Sequence, residues 1–295
     1  QTNRPQLAEE DNGWPHYEKA IEFFVKAGEE LKEMDVFKDY KEIRSFAELT
    51  EEEKQEIKKW VQQNESAWQE FVEGSLKPYC YRESGFHSEN EECKWLLNII
   101  MPHLKPLRDL ARLGIWRSRM AVERDRIKEG LENCLAVIRT GRFWQEHKLF
   151  IVEQLVGMAH SRLGHNEILR ILEDKDIYTD DLRWLQGQLS QIYADGYPLM
   201  DIEGEKLAFM DIVQHTFTDG GPGGGHLIPE RFEYIMDMGS GPDTHKRFVP
   251  SCVALSIVHA RRDDTIAKGN QVWDQQIEIY KMRPYEKHRR NVDSD

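Results

Sequence analysis

Acidic and imidazole side chains recur at an interval of seven residues in the middle of the chain. Glu146, Glu153 and His160 follow this interval, and His165 comes five residues later. Side chains seven residues apart lie on one face of an α-helix, and carboxylate and imidazole groups both bind transition metals. Glu153 and His160 are therefore candidate metal ligands. The alternative is that these residues form a polar flank beside a core stripe of Leu and Val.

The motifs of known metal and catalytic sites do not occur in the chain. A di-iron bundle needs Glu-x-x-His on two helices and a zinc peptidase needs His-Glu-x-x-His, but neither pattern is present. The Gly-x-Ser-x-Gly of a hydrolase nucleophile and the Gly-Lys-Ser/Thr of a phosphate-binding loop are also missing. The sequence therefore predicts a non-catalytic protein, and an unrecognised enzyme or metal protein is the alternative.

Residues 219–230 form a glycine-rich segment with some features of a calcium-binding loop. Asp219 and Glu230 occupy the first and last of twelve positions, where an EF-hand places oxygen ligands. Glycine and proline fill most of the positions between them, and His226 stands where a hydrophobic residue belongs. We therefore expect either a flexible connector or, as the alternative, a degenerate loop through which calcium modulates assembly. Apart from calcium, no cofactor is expected.

Basic residues are concentrated between Lys105 and Arg142. This segment has ten Lys/Arg and five Asp/Glu, a local net charge of +5 in a chain whose net charge is -13. Such polarisation can steer a partner of complementary charge, and Trp and Arg often anchor protein interfaces. Solvated helix faces are the alternative. The residues predicted to contact another protein or a second copy are Trp116, Arg117, Arg119, Arg124 and Arg126.

Overall composition and cysteine spacing narrow the class of protein. The acidic net charge argues against a non-specific nucleic-acid binder, and no run reaches the ~20 apolar residues of a membrane helix. Cys80 and Cys93 flank a polar segment and predict a disulfide if the protein is exported. Cys134 and Cys252 lie among apolar residues and are expected to be small buried hydrophobic side chains.

Nearly every segment has the 3.6-residue apolar period of a helix. Residues 50–53 and 88–91 form capping boxes, and residues 107–141 predict a helical hairpin that turns at 122–125. No alternating run is long enough for a substantial sheet. The sequence therefore predicts an all-α fold of stacked antiparallel helical hairpins, either solenoid-like or an irregular bundle. In this single domain, residues 1–200 are the hairpin stack, and residues 201–295 hold a helix, the glycine-rich loop, further helices and a basic tail.

Three segments together resemble large, all-helical exported proteins of planctomycete bacteria. They are NGWPHYE at 12–18, DIVQHTFTDGG at 211–221 and ARRDDT at 260–265. In those proteins the second segment often continues as an acidic, EF-hand-like loop, whereas here glycine and proline replace the acids. The resemblance implies a helical fold and export, and the start at Gln1 fits either a removed signal peptide or a shortened chain.

The abundance of Lys, Glu and Ile is compatible with an anammox member of that group. The resemblance then implies an accessory role in a large redox assembly, in a periplasm-like or anammoxosome-type compartment. Because hairpin stacks create extended surfaces, we expect a scaffold or accessory subunit that mediates assembly with another protein or with itself.

Overall fold

The computed structural model describes residues 8–28, 31, 46–83, 85–86, 95–96, 99–146, 148–232 and 260–282. Within these ranges, α-helices make up most of the regular structure and confirm the predicted all-α fold. They are α1 (Trp14–Phe23), α2 (Glu51–Gln63), α3 (Glu65–Ser75), α4 (Leu104–Glu123), α5 (Ile127–Gln145), α6 (Ile151–Asp174), α7 (Thr179–Ile192), α8 (Glu203–Thr216) and α9 (Arg262–Lys281). Among the same residues the paired strands are two residues long, β1 (Gly85–Phe86) and β2 (Ile99–Ile100), and they are antiparallel.

The chain divides into two compact units. The first takes its residues from 1–83, 101–148 and 152–198, and therefore contains α1 to α7. The second takes its residues from 84–100, 149–151 and 199–295, and contains β1, β2, α8 and α9. The prediction of a single domain stays a prediction.

Local signals in the sequence place several helix ends correctly. The Thr50 hydroxyl accepts a hydrogen bond from the backbone N–H of Glu53, whose side chain accepts one from the N–H of Thr50, so α2 begins with the predicted capping box. Helix α4 ends at Glu123 and α5 begins at Ile127, as the predicted turn requires. Asp125 turns the chain with a φ of 55°, which a short polar side chain tolerates. The second predicted capping box, at 88–91, lies outside the described residues.

The core of the first unit combines large aromatic rings with a few satisfied polar groups. Tyr17 is fully buried against Phe71, at 5.5 Å between ring centroids, and its hydroxyl bonds to the hydroxyl of Thr140 at 2.8 Å. Cys134 is fully buried, as predicted, whereas Cys252 lies outside the described residues. These contacts connect α1 and α3 to α5, and α5 in turn supports α6.

Glycines allow α5 and α6 to approach closely in antiparallel directions. A Cβ atom at Gly157 would lie only 2.6 Å from the carbonyl oxygen of Gly141, and one at Gly164 would lie 2.9 Å from that of Cys134. Real Cβ atoms do not come so close to backbone oxygens, so these positions accept only glycine without a shift of one helix. The side of α6 that faces α5 is therefore fixed by its glycines.

We expect the substitution Gly157→Ala to lower the free energy of unfolding by about 2 kcal/mol, because the new methyl group overlaps backbone atoms of α5. Gly187→Ala on α7 is the matched control, since a Cβ there meets no atom within 4 Å. Alanine is the better helix former, so the control should gain about 0.5 to 1 kcal/mol. Urea unfolding measures both values, and equal effects would contradict the close contact of α5 and α6.

Candidate functional site

Helix α6 buries many polar and small residues and leaves several large apolar residues exposed. Its buried residues are Glu153, Gln154, Gly157, His160, Ser161, Gly164, Glu167, Ile168 and Ile171. The exposed apolar residues are Val152, Leu155, Met158, Leu169 and Leu172, with 37% to 56% of each residue accessible. We call these five residues the α6 stripe. An ordinary surface helix has the opposite arrangement.

The alternative expectation, that Glu153 and His160 form a polar flank beside a buried stripe of Leu and Val, is therefore wrong. The two sets of residues have the opposite exposure. Val152 and Leu155 are exposed, while Glu153 and His160 are buried. Glu146 does not belong to this helix, because it follows the last residue of α5 and pairs with Arg142 at 2.7 Å. The seven-residue interval within α6 continues instead to Glu167, which the sequence analysis missed.

The buried polar residues of α6 face α4, which runs in the same direction. At one end, Nε2 of His103 lies 3.6 Å from Oε1 of Glu153. At the other end, Nη2 of Arg119 lies 2.9 Å from Oε2 of Glu167. His160 lies between them, seven residues from either carboxylate along α6. We call this line of contacts the polar seam.

The contact of Arg119 with Glu167 is the best-formed part of the polar seam. The Nε of Arg119 donates to both carboxylate oxygens at 3.1 and 3.2 Å, and only 2% and 3% of the two side chains are accessible. Burial alone would raise the pKa of Glu167, but the charge of Arg119 and hydrogen bonds from Arg170 and Arg119 hold it below its usual value. Burial lowers the pKa of Arg119, yet a guanidinium stays charged at neutral pH.

Two of the predicted partner-contacting residues are thus inside the fold. Arg119 is buried against Glu167, and Trp116 is 5% accessible with the Arg119 guanidinium 4.9 Å from its ring centroid. The prediction that these two residues contact a partner is wrong, because their aromatic and charged groups are used in packing α4. The basic character of this segment reflects a buried ion pair as well as solvated charge.

Of the remaining predicted arginines, Arg124 and Arg126 are exposed and Arg117 is partly buried. Arg117 pairs with Glu65 at 2.6 Å and lies 5.8 Å from the centroid of the Trp68 ring. Arg126 is exposed and pairs with Glu129 at 2.7 Å, and Arg124 is exposed beside it. Contact of these three residues with a partner stays a prediction.

His160 is buried without a hydrogen-bond partner on either ring nitrogen. Burial, together with the charges of Arg108 and Arg112, lowers the pKa of His160 to about 3. The pKa of His103 is also lowered, mainly by burial, although Glu153 opposes this effect. Both imidazoles are therefore neutral at physiological pH, and neutral imidazole is the form that binds metals.

The structure nevertheless does not bring the candidate ligands together. In the described part of the chain, no group of three or more His, Cys, Asp or Glu residues is placed to hold a metal ion. Glu153 and His160 occupy successive positions of the polar seam, where each faces α4. Their burial serves the packing of α6, and the geometry gives no support to a metal centre there.

The glycine-rich loop forms a short hairpin in the second unit. The Thr218 N–H donates to the His226 carbonyl at 2.8 Å, and the Ile228 N–H donates to that of Thr216 at 2.7 Å. Asp219 is almost fully exposed and lies 3.2 Å from Nη1 of Arg262, which already supplies a positive charge. Glu230 is also exposed. The loop thus has a defined conformation, and it does not gather the oxygen ligands that calcium requires.

Cys80 forms no disulfide with another described cysteine, and burial raises the pKa of its thiol to about 11. Such a thiol is a poor nucleophile at neutral pH, because the thiolate is the reactive form. Cys93 lies outside the described residues. The disulfide between Cys80 and Cys93 therefore stays a prediction.

Comparisons with protein-family models, with curated proteins and with solved structures found no match for this chain. Among the described helices, none has the length and apolar character needed to cross a lipid bilayer. Among the described helices, α6 exposes the largest number of large apolar residues, the five of the α6 stripe.

We expect Glu167→Gln to lower the free energy of unfolding by about 3 to 5 kcal/mol, because it leaves the buried Arg119 charge without a counter-ion. Glu129→Gln removes the partner of the exposed Arg126 and should cost less than about 1 kcal/mol. Urea unfolding at neutral pH distinguishes them. Similar losses in the two variants would show that the polar seam does not hold α6 in place.

His160 should make the folded state sensitive to acid. Its pKa is about 3 in the folded chain and near its ordinary 6.5 when unfolded, so the unfolded state binds more protons as the pH falls below 6.5. Stability is unaffected by this group above pH 6.5 and falls by up to about 1.4 kcal/mol per unit between pH 6.5 and 3. In His160→Leu, the free energy of unfolding, measured with urea between pH 7 and 5, should fall less steeply with decreasing pH than in the wild type. The difference in slope should approach the equivalent of about one bound proton near pH 5. An unchanged slope would contradict a neutral, buried imidazole.

Proposed function

We propose that this protein is a non-catalytic scaffold or accessory subunit that assembles with another protein surface through the α6 stripe. The observation that carries the proposal is the inverted orientation of α6, which leaves five large apolar residues accessible on one helix. Single apolar residues on a surface need no explanation, but five on one helix, grouped at its two ends, favour an interaction site.

The inverted orientation is encoded by the residues that α6 buries. A half-turn of the helix about its axis would bury the stripe, but it would expose Ile168 and Ile171, which are now buried. It would also separate Glu167 from Arg119 and move the helix's glycines away from Gly141. The charge pair and the backbone contact therefore hold the α6 stripe outward on the described part of the chain, where a partner could remove it from water.

The chemistry of the stripe suits another protein helix. Leu155 and Met158 lie at one end and Leu169 and Leu172 at the other, while Arg162 is exposed between them. Within each end the apolar residues lie three positions apart, which is the spacing at which a second amphipathic helix can pack. The exported, periplasm-like compartment and a redox assembly as the setting are part of the proposal and are supported by the planctomycete resemblance alone.

The described geometry favours neither of the other functions considered. A metal enzyme needs converging ligands, whereas Glu153 and His160 are separated along the polar seam. Calcium-dependent assembly needs free oxygen ligands, whereas Asp219 is paired with Arg262. The assembly function has the positive support of the α6 stripe.

The test compares charged substitutions inside and outside the stripe. In the double variant Leu155→Asp/Leu169→Asp, we expect the chain to leave the assembly in which the wild type is purified natively, with its helical circular dichroism unchanged. Leu207→Asp/Val272→Asp is the matched control, because these residues are similarly exposed on α8 and α9. Native mass spectrometry and sedimentation measure the assembly. A stripe variant that remains in the wild-type assembly would contradict the proposal.

A further inference from the structure

We infer that Asp219 is a site of spontaneous covalent modification, at which the folded chain converts aspartate to isoaspartate through a cyclic succinimide. The inference is independent of the proposed assembly function. It is drawn from a comparison of the places in the chain that share this chemistry, because the structure holds the reacting groups differently at each of them.

The reaction uses atoms of the chain and water, and it needs no cofactor. The backbone nitrogen of the residue after an Asp attacks the side-chain carboxyl carbon, so that a C–N bond forms, a C–O bond breaks and the amide proton leaves with water. The succinimide then takes up water. Opening at one carbonyl restores aspartate, and opening at the other continues the backbone through the side-chain carbon, which is isoaspartate. An Asn reacts in the same way, with ammonia as the leaving group.

The sequence offers this reaction at the pairs in which glycine follows Asn or Asp. Glycine has no side chain to hinder the attacking nitrogen. These pairs are Asn12-Gly13, Asp195-Gly196 and Asp219-Gly220. In an unstructured peptide the Asn-Gly pair reacts first, since a neutral amide is attacked more readily than an ionised carboxylate. The folded structure changes this order, because the side chain and the following backbone nitrogen must be able to approach each other.

Asn12 is held at both of its reacting groups. Its Nδ2 donates to the Tyr81 carbonyl at 2.9 Å, and its Oδ1 accepts hydrogen bonds from the backbone N–H groups of Trp14 and Tyr81 at 3.1 and 2.9 Å. The N–H of Gly13, which carries the attacking nitrogen, donates to the Tyr79 carbonyl at 2.8 Å. The folded chain therefore protects the pair that is the most reactive by sequence.

Asp195 is held at its attacking nitrogen alone. Its side chain is 94% accessible, so exposure by itself would predict the reaction. The N–H of Gly196 donates to the Tyr193 carbonyl at 2.9 Å, and the Gly196 carbonyl accepts a hydrogen bond from Nη1 of Arg142 at 3.1 Å. These two bonds fix the turn that follows α7 and keep the nitrogen of Gly196 away from the carboxylate.

Asp219 has neither restraint. Its side chain is 97% accessible, and within the described residues the N–H of Gly220 makes no hydrogen bond. A Cβ atom added at Gly220 would meet no atom within 4 Å, so the peptide between the two residues has room to rotate. The contact of Asp219 with Arg262, at 3.2 Å, is an ion pair of an exposed carboxylate, which is weak and screened by salt.

Conversion at Asp219 changes the contact of the glycine-rich loop with α9. Isoaspartate adds a methylene group to the backbone and leaves the carboxylate attached directly to Cα, so the carboxylate no longer reaches the Arg262 guanidinium as before. The hydrogen bonds between Thr218 and His226 lie beside the added carbon. We therefore expect faster hydrogen exchange at the amides of Thr218 and His226 in the converted chain than in fresh protein.

Peptide mapping of the aged, folded full-length chain tests the inference. After incubation at neutral pH, mass spectrometry with electron-transfer fragmentation should locate isoaspartate at position 219. It should form about two- to tenfold faster there than at position 195, which is the range that one hydrogen bond to the attacking nitrogen accounts for. Asn12 should keep its amide. Faster conversion at position 195 or at Asn12 in the folded chain would overturn the inference.

Unfolding and two matched variants separate the structural effect from the sequence effect. In urea the order should reverse, with Asn12 reacting first, because the hydrogen bonds that protect it are lost. Asp219→Glu keeps the charge but closes the ring less readily, so it should remove the isoaspartate signal of the folded chain. Asp195→Glu is the control and should leave the signal at position 219 unchanged. The same rate at position 219 and at Asn12 in the folded chain and in urea would contradict protection by the fold.

Discussion

The buried contact of Arg119 with Glu167 determines how helix α6 sits on the rest of its unit. Two charges have been taken out of water, which is costly, and the cost is offset by several hydrogen bonds and by a second arginine at position 170. Such pairs contribute little net stability compared with an apolar core, and their best-attested use is to specify one arrangement among several. Here the arrangement specified is the rotation of α6 about its own axis.

The glycines of α5 and α6 impose the same choice by steric means. Gly141 and Gly157 bring the two backbones together where no Cβ fits, so this side of α6 must face α5. Charge and close packing thus agree with each other, whereas hydropathy is divided, because Ile168 and Ile171 are buried while the α6 stripe is exposed. Local conflicts of this kind are concentrated at functional sites, where stability of the isolated chain is exchanged for an interaction. The proposed function follows from this one conflict.

The sequence predicted the features that depend on local chemistry. The capping box at Thr50, the turn around Asp125 and the burial of Cys134 all follow from short-range patterns, and the structure confirms them. The orientation of α6 was not predictable in this way, because a helical period separates two faces without saying which is inward. The usual assumption that the apolar face is buried placed Leu155 in the core. Glu167, at the next seven-residue step after His160, was the signal that a buried polar line continues.

Two rotations of helix α6 about its own axis compete while the chain folds. Docking with Leu155 and Leu169 inward competes with docking through Ile168 and Ile171, because both rotations bury apolar side chains. The contact of the Arg119 guanidinium with the Glu167 carboxylate and the approach of the Gly141 and Gly157 backbones occur in the native rotation. We therefore expect folding of this unit to include a competition between two rotations of one helix, in which the ion pair and the glycines favour the native one.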